Sequence, residues 1–177
     1  MKSTKKIAMV IAFKGFMDEE YFVPVQIFND AGFEVVTVST SLGTAFASYG
    51  GEAEVDILIE NLNVKDFDAV VFVGGNGSVK HLSDEKFHNV AKETIKNRKL
   101  LAGICFAPSI LAKAGVLVGK KATVWSRFMD KTTIKILKEN GAGYVESNVV
   151  SDGNIITANG PEAAEEFAKE IIKKLSA

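Results

Sequence analysis

The chain has one cysteine, and its setting is where chemistry is expected first. Cys105 sits in GICFAPSILAKAG, directly after an apolar run and directly before a helix-like stretch. A nucleophile at a strand-to-helix junction has the arrangement of a nucleophile elbow, although the G-x-S-x-G pattern is absent. The thiolate is the nucleophilic form of cysteine. A helix start offers unpaired N–H groups and the positive end of the macrodipole, which lower a thiol pKa from ~8.5. The opposing reading is a buried structural cysteine, since cysteine is among the most buried residue types. The residues of this segment alone leave both open.

Two other loops carry unusual residues. In VGGNGSVKHL, residues 73–82, Gly74 and Gly75 follow a strand and Gly77 comes two residues later, with Asn76 between. Such a loop brings backbone N–H groups close to a ligand and can form an oxyanion hole. It is neither G-x-G-x-x-G nor a P-loop, and a tight turn needing positive φ explains it equally well. In AFKGFMDEEYFVP, Asp18, Glu19 and Glu20 open a helix, where carboxylates favour the dipole. Most such acids are solvated. Glu20 lies beside Tyr21 and Phe22, four residues before Pro24, and can turn inward toward the cysteine. Of the two histidines, His81 follows the glycine loop and reads as a surface residue, a place at the mouth of the site being the alternative, and His88 reads as the solvent side of a helix. A single cysteine excludes an intrachain disulfide and clustered thiolates, and two histidines argue against a multi-histidine metal site. Neither metal nor cofactor is expected.

These loops must be positioned by a regular scaffold. Ile7–Ala12, Glu34–Ser39, Ala69–Val73, Leu100–Ile104 and Asn154–Ala158 are continuous apolar or β-branched runs, as strands buried on both faces should be. Between them the apolar residues follow helical spacing over Glu19–Ala31, Ser83–Asn97, Phe106–Ala114, Thr132–Asn140 and Pro161–Leu175. Pro24 suits a first helical turn, which moves the expected start of the first helix toward Val23. Leu42–Val64 breaks the alternation, and its Gly50–Gly51 pair suggests an inserted hairpin. Strands alternating with helices predict a parallel sheet with helices on both faces. In such a sheet ligands bind beyond the carboxyl ends of the strands, where all three loops fall.

Composition bounds the rest. The 177 residues are 47% hydrophobic and 24% charged, with a net charge of −1. That suits one domain over residues 1–177. It argues against a broad basic surface for nucleic acid or anionic membrane. The basic start and the apolar run ending at Lys14 read as a first strand rather than a signal peptide. No apolar stretch reaches the ~20 residues of a membrane span, and a cytoplasmic location is expected.

Four segments in order resemble the ThiJ/PfpI superfamily, which includes the parkinsonism-associated protein deglycase and the PfpI intracellular peptidases. They are GFMDEEYFVPVQIFNDAGFEV, FDAVVFVGGNGS, LAGICFAPSILAKAGVLVGKKATVW and VVSDGNIITANGPEAAEEFA, and together they cover nearly the whole chain. The resemblance implies a flavodoxin-like three-layer α/β/α sandwich with a mostly parallel sheet, like class I glutamine amidotransferases, and a homodimer. It implies that Cys105 is the nucleophilic or redox-active cysteine and Glu20 the buried acid that hydrogen-bonds it. The N–H groups of Gly75 and Phe106 would be the oxyanion donors, in a pocket formed by Gly74, Asn76, Phe16, Met17 and Trp125. The chain departs from the pattern where members carry a histidine, here Phe106 or Trp125, and where many carry a second acid, here Met17.

Three functions are consistent with that set. In the first, Cys105 and Glu20 act on small reactive carbonyls or their protein adducts in a stress response, as a glyoxalase or deglycase would. In the second, the protein is a redox sensor or a chaperone-like dimer without catalysis. Third is an intracellular cysteine peptidase, disfavoured because no histidine stands beside Cys105.

Overall fold

A computed structural model describes residues 4–177; Met1–Ser3, part of the basic start, lie outside the described residues. Its centre is a seven-stranded sheet. In chain order the strands are β1 (Lys6–Val10), β2 (Lys14–Phe16), β3 (Glu34–Ser39), β4 (Gly43–Ala47), β5 (Glu52–Val55), β6 (Ile57–Leu58), β7 (Ala69–Phe72), β8 (Leu100–Ile104), β9 (Lys121–Ala122), β10 (Gly143–Tyr144), β11 (Val149–Asp152) and β12 (Ile155–Ala158). The main sheet runs β11-β12-β8-β7-β1-β3-β6. Every pairing in it is parallel except β11 with β12, a hairpin at one edge.

The helices are α1 (Asp18–Asp30), α2 (Glu85–Lys96), α3 (Ala107–Lys113), α4 (Thr132–Glu139) and α5 (Ala164–Ser176). Alternation along each strand divides the core in two. Ala8, Val10, Val70, Phe72 and Leu101 face α2, α3 and α4 through Phe87, Ile110, Leu111 and Leu137. Ile7, Met9, Val71, Ala102 and Ile156 face α1 and α5 through Phe28, Phe167 and Ile171. The result is the three-layer α/β/α sandwich anticipated from the strand and helix pattern. The chain runs outward from β1 to β3 and then returns to the other side of β1 with β7. The crevice at that reversal, beyond the strand carboxyl ends, is the usual ligand position of such sheets.

Three details differ from the sequence reading. Helix α1 begins at Asp18, not near Val23, and carries Pro24 in its interior. Proline lacks the N–H that would bond the carbonyl four residues back, which is that of Glu20. Packing of α1 against α5 and β3 holds the helix across the gap. The residues expected to form a loop between β1 and α1 include β2, which joins β4 and β5 in a small sheet; β4 and β5 are the anticipated hairpin. The short pair β9–β10 and the edge strand β11 had no periodic signature of their own.

Candidate active site

Cys105 directly follows β8 and precedes α3. Its N–H donates to Ala158 C=O at 2.9 Å, continuing the ladder with β12, and its C=O accepts from Trp125 N–H at 2.9 Å. With both backbone groups held, the residue adopts φ +65°. A non-glycine side chain in that region carries strain of order 1–3 kcal/mol. The turn aims the side chain off the end of the sheet while leaving it only 7% exposed.

Glu20 comes to the sulfur from α1. It shares the helix face of Pro24 and Phe28, which turns inward, so the carboxyl is completely buried. Its Oε2 accepts from Gly74 N–H at 2.9 Å. Its Oε1 has no nitrogen or oxygen partner among the described residues, and the Cys105 thiol is the polar side chain set against this carboxyl. Loss of water pushes the Glu20 pKa up to about 7, against the pull of the Cys105 and Gly74 hydrogen bonds.

The glycine loop completes the surroundings. A Cβ on Gly74 would lie 2.7 Å from Cys105 Cβ and 2.8 Å from Glu20 Oε2, so only glycine lets the three residues meet. Gly75, at φ +109°, passes so close to β2 that a Cβ would lie 2.5 Å from Gly15 C=O. Met17 N–H donates to Gly74 C=O at 3.1 Å. That carbonyl and Gly75 N–H belong to one peptide plane. The bond therefore fixes the direction of Gly75 N–H, which together with Phe106 N–H favours negative charge on the Cys105 sulfur.

The expectation of a depressed cysteine pKa is not met. Burial pushes the Cys105 thiol up, the neighbouring Glu20 carboxylate pushes it further, and the N–H groups of Phe106 and Gly75 only partly offset this. Two buried acids in contact cannot both be charged near neutrality. The pair gives up its first proton near pH 7 and retains the second into the alkaline range. It therefore passes from two protons to one as the pH rises through neutrality.

The remaining expected residues divide. Phe106 is half-buried as the residue before α3, Met17 is half-buried as the residue before α1, and Trp125 is half-buried and tied to Cys105 through its N–H. Phe16 is fully buried and packs edge-on against Tyr21, so it supports the pocket from the core rather than lining it. Asn76 is exposed at the start of a 3-10 helix over Asn76–His81. His81 is not a surface residue: it is 5% exposed, with Nδ1 2.8 Å from Asp84 Oδ2 and its ring stacked on Phe87. His88 is half-buried and donates from Nε2 to Leu82 C=O at 2.9 Å. Ser78, which the sequence reading passed over, bonds Gly75 C=O with both its N–H, at 3.0 Å, and its hydroxyl, at 2.6 Å. Its signal was a serine three residues after a glycine that needs positive φ.

Among the described residues no group of three or more His, Cys, Asp or Glu is placed to hold a metal ion, and no helix is long and apolar enough to cross a membrane.

Similarity to known proteins extends over nearly the whole chain. The model of the DJ-1/PfpI family matches residues 5–174. A deglycase of Pyrococcus horikoshii is 31% identical over 160 residues, covering 90% of this chain and 93% of the relative. General stress protein 18 of Bacillus subtilis is 32% identical over 175 residues, covering 97% and 98%. The crystal structure of a ThiJ/PfpI domain protein from Brachyspira murdochii superposes with a TM-score of 0.93 at 35% identity, over 98% of each chain.

Proposed function

Because this chain belongs to the DJ-1/PfpI family, we propose that it is a cysteine-dependent enzyme of the deglycase and glyoxalase type, acting on small 2-oxoaldehydes or their protein adducts. The observation that carries this reading is the buried Cys105–Glu20 pair, with Glu20 held by Gly74 N–H and its pKa raised to about 7 by burial. A base is most effective when its pKa lies near the working pH, and Glu20, at about 7, has that property.

The steps follow from the pair. The sulfur attacks the aldehyde carbon and the C=O π pair moves to oxygen. The thiol proton passes to Glu20 and then to that oxygen, giving a hemithioacetal and restoring the carboxylate. Glu20 next removes the C–H proton from the former aldehyde carbon, and the electron pair shifts toward the adjacent carbonyl. Gly75 and Phe106 N–H, which face the sulfur, are the donors assigned to the developing oxyanion. Glu20 returns the proton to the neighbouring carbon, and the hydroxyl proton on the former aldehyde carbon passes to the alkoxide left beside it, giving a thioester of a 2-hydroxy acid. Water cleaves the thioester and frees the thiol. One carbon is oxidised and its neighbour reduced, so no external redox partner is required. The half-buried Phe106, Trp125 and Met17 suit a small substrate.

Peptide hydrolysis by a Cys–His pair has less support: His81 and His88 make their hydrogen bonds to Asp84 and Leu82. The same reading makes the protein a cytoplasmic homodimer, which sedimentation at micromolar concentration checks. The test of function is steady-state conversion of methylglyoxal to lactate. Wild type should turn over, and Cys105→Ser and Glu20→Ala should each lose about 10²-fold or more. Cys105-dependent cleavage of casein would return the peptidase reading. No turnover of either substrate, with peroxide converting Cys105 to a sulfinate, would favour the sensor.

A further inference from the structure

His81 is a buried imidazole that the chemistry above does not use. Its ring lies 4.0 Å from that of Phe87, tilted by 15°. Nδ1 meets Asp84 Oδ2 at 2.8 Å, while Nε2 is buried without a partner among the described residues. Next to a carboxylate, Nδ1 carries the proton and Nε2 is the bare acceptor. An unpaired buried nitrogen is unfavourable. A leucine or phenylalanine would fill the same space without that cost, so packing alone does not account for the residue. What the imidazole adds is its link to Asp84. Asp84 is also the cap of α2, accepting from Lys86 N–H through Oδ1 at 3.0 Å.

The link acts on the loop that serves the sulfur. Gly75 begins that loop and His81 ends its 3-10 helix. At the near end Met17 N–H orients the Gly74–Gly75 peptide, and Ser78 holds Gly75 C=O. At the far end His81 C=O accepts from Asp84 N–H at 3.1 Å, in addition to the side-chain bond. Burial lowers the pKa of the imidazole against the opposing pull of Asp84, and Lys80, the other charged neighbour, adds to the lowering, which favours the neutral, linked form.

We propose that His81 and Asp84 are positioning residues that lock the glycine loop to helix α2 and thereby hold Gly75 N–H on the Cys105 sulfur.

The test is iodoacetamide alkylation of Cys105 against pH in the full chain, which does not require that the carbonyl chemistry be correct. His81→Leu keeps the volume and removes the link. His81→Asn places an amide N–H where Nδ1–H stands. Above pH 7, His81→Leu should alkylate roughly tenfold more slowly, the effect of misplacing one donor to a charged sulfur. His81→Asn should stay within about twofold of wild type, since it restores the bond. Amide exchange at Ser78 should accelerate in His81→Leu and not in His81→Asn. Unchanged alkylation in a folded His81→Leu, or equal loss in both variants, would overturn the proposal. So would faster alkylation in His81→Leu, which would mean that the pair shields the sulfur. Should His81→Leu not fold, Asp84→Ser, whose hydroxyl can still cap α2 but is too short to reach His81 Nδ1, should show the same slowing, and a wild-type rate there would overturn the proposal.

Discussion

The glycine loop and the turn after Trp125 both meet the neighbourhood of Cys105, and they are built on opposite terms. The glycine loop lies on β2 with no side chain between: a Cβ on Gly77 would fall 1.8 Å from Lys14 C=O. Two peptide planes and a serine hydroxyl fix it. The other segment is anchored near its base, where Thr133 hydroxyl donates to Trp125 C=O and Arg127 stacks over the Trp125 ring. Beyond that, Arg127 and Asp130 exchange backbone hydrogen bonds and leave Phe128 and Met129 each 89% exposed at the tip. A donor that must meet a sulfur atom is useful only within a few tenths of an ångström, and backbone packed on backbone supplies that tolerance. The tip faces no such demand.

Substitutions should separate the two segments sharply. Gly77→Ala forces a methyl into the Lys14 carbonyl, and neither chain can yield without moving β2. The expected destabilisation is about 3 kcal/mol, a fall in melting temperature of roughly 6–12 °C for a domain of this size. Calorimetry checks it, and a melting point unchanged within 2 °C would show the loop to be far more compliant than its contacts imply. At the other extreme, Phe128→Ser with Met129→Ser removes side chains that touch little. Stability of the isolated chain should change by no more than about 0.5 kcal/mol. A larger loss in the same calorimetric comparison would mean that the tip is packed against something in solution.

Much of this site was readable from residue type and spacing. Cys105 at a strand end, Gly75 in a positive-φ turn and Glu20 on an apolar helix face each carry a local signal, and they converge because the topology brings strand carboxyl ends together. Other features depend on contacts that no local pattern reports. Pro24 pointed to a later helix start, since a helix interior holds a proline only when neighbouring layers support it. A polar residue after a glycine loop is usually solvated, so His81 was expected at the surface; its companions Asp84 and Phe87, three and six residues on, were the missed signal. Phe16 adjoins site residues in sequence, yet strand alternation turns it into the core. The cysteine pKa was misjudged for a related reason. Helix N–H donors are visible in sequence, whereas the burial and the facing carboxylate that outweigh them are properties of the assembled fold.

The account rests on Glu20 and Cys105 titrating as one unit, and the pH dependence of Cys105 alkylation in wild type and Glu20→Gln tests that directly. Both pKa values are raised, so the carboxyl is protonated below about 7 and the pair is then neutral. As pH rises through that value one proton leaves, and sharing of the remaining proton first populates thiolate. Wild-type alkylation should therefore rise with a midpoint near 7. Glu20→Gln has no proton to release there, so its buried thiol should titrate alone, with a midpoint above the ordinary ~8.5. The same midpoint near 7 in both proteins would assign the titration to Cys105 itself and contradict the shared-proton account.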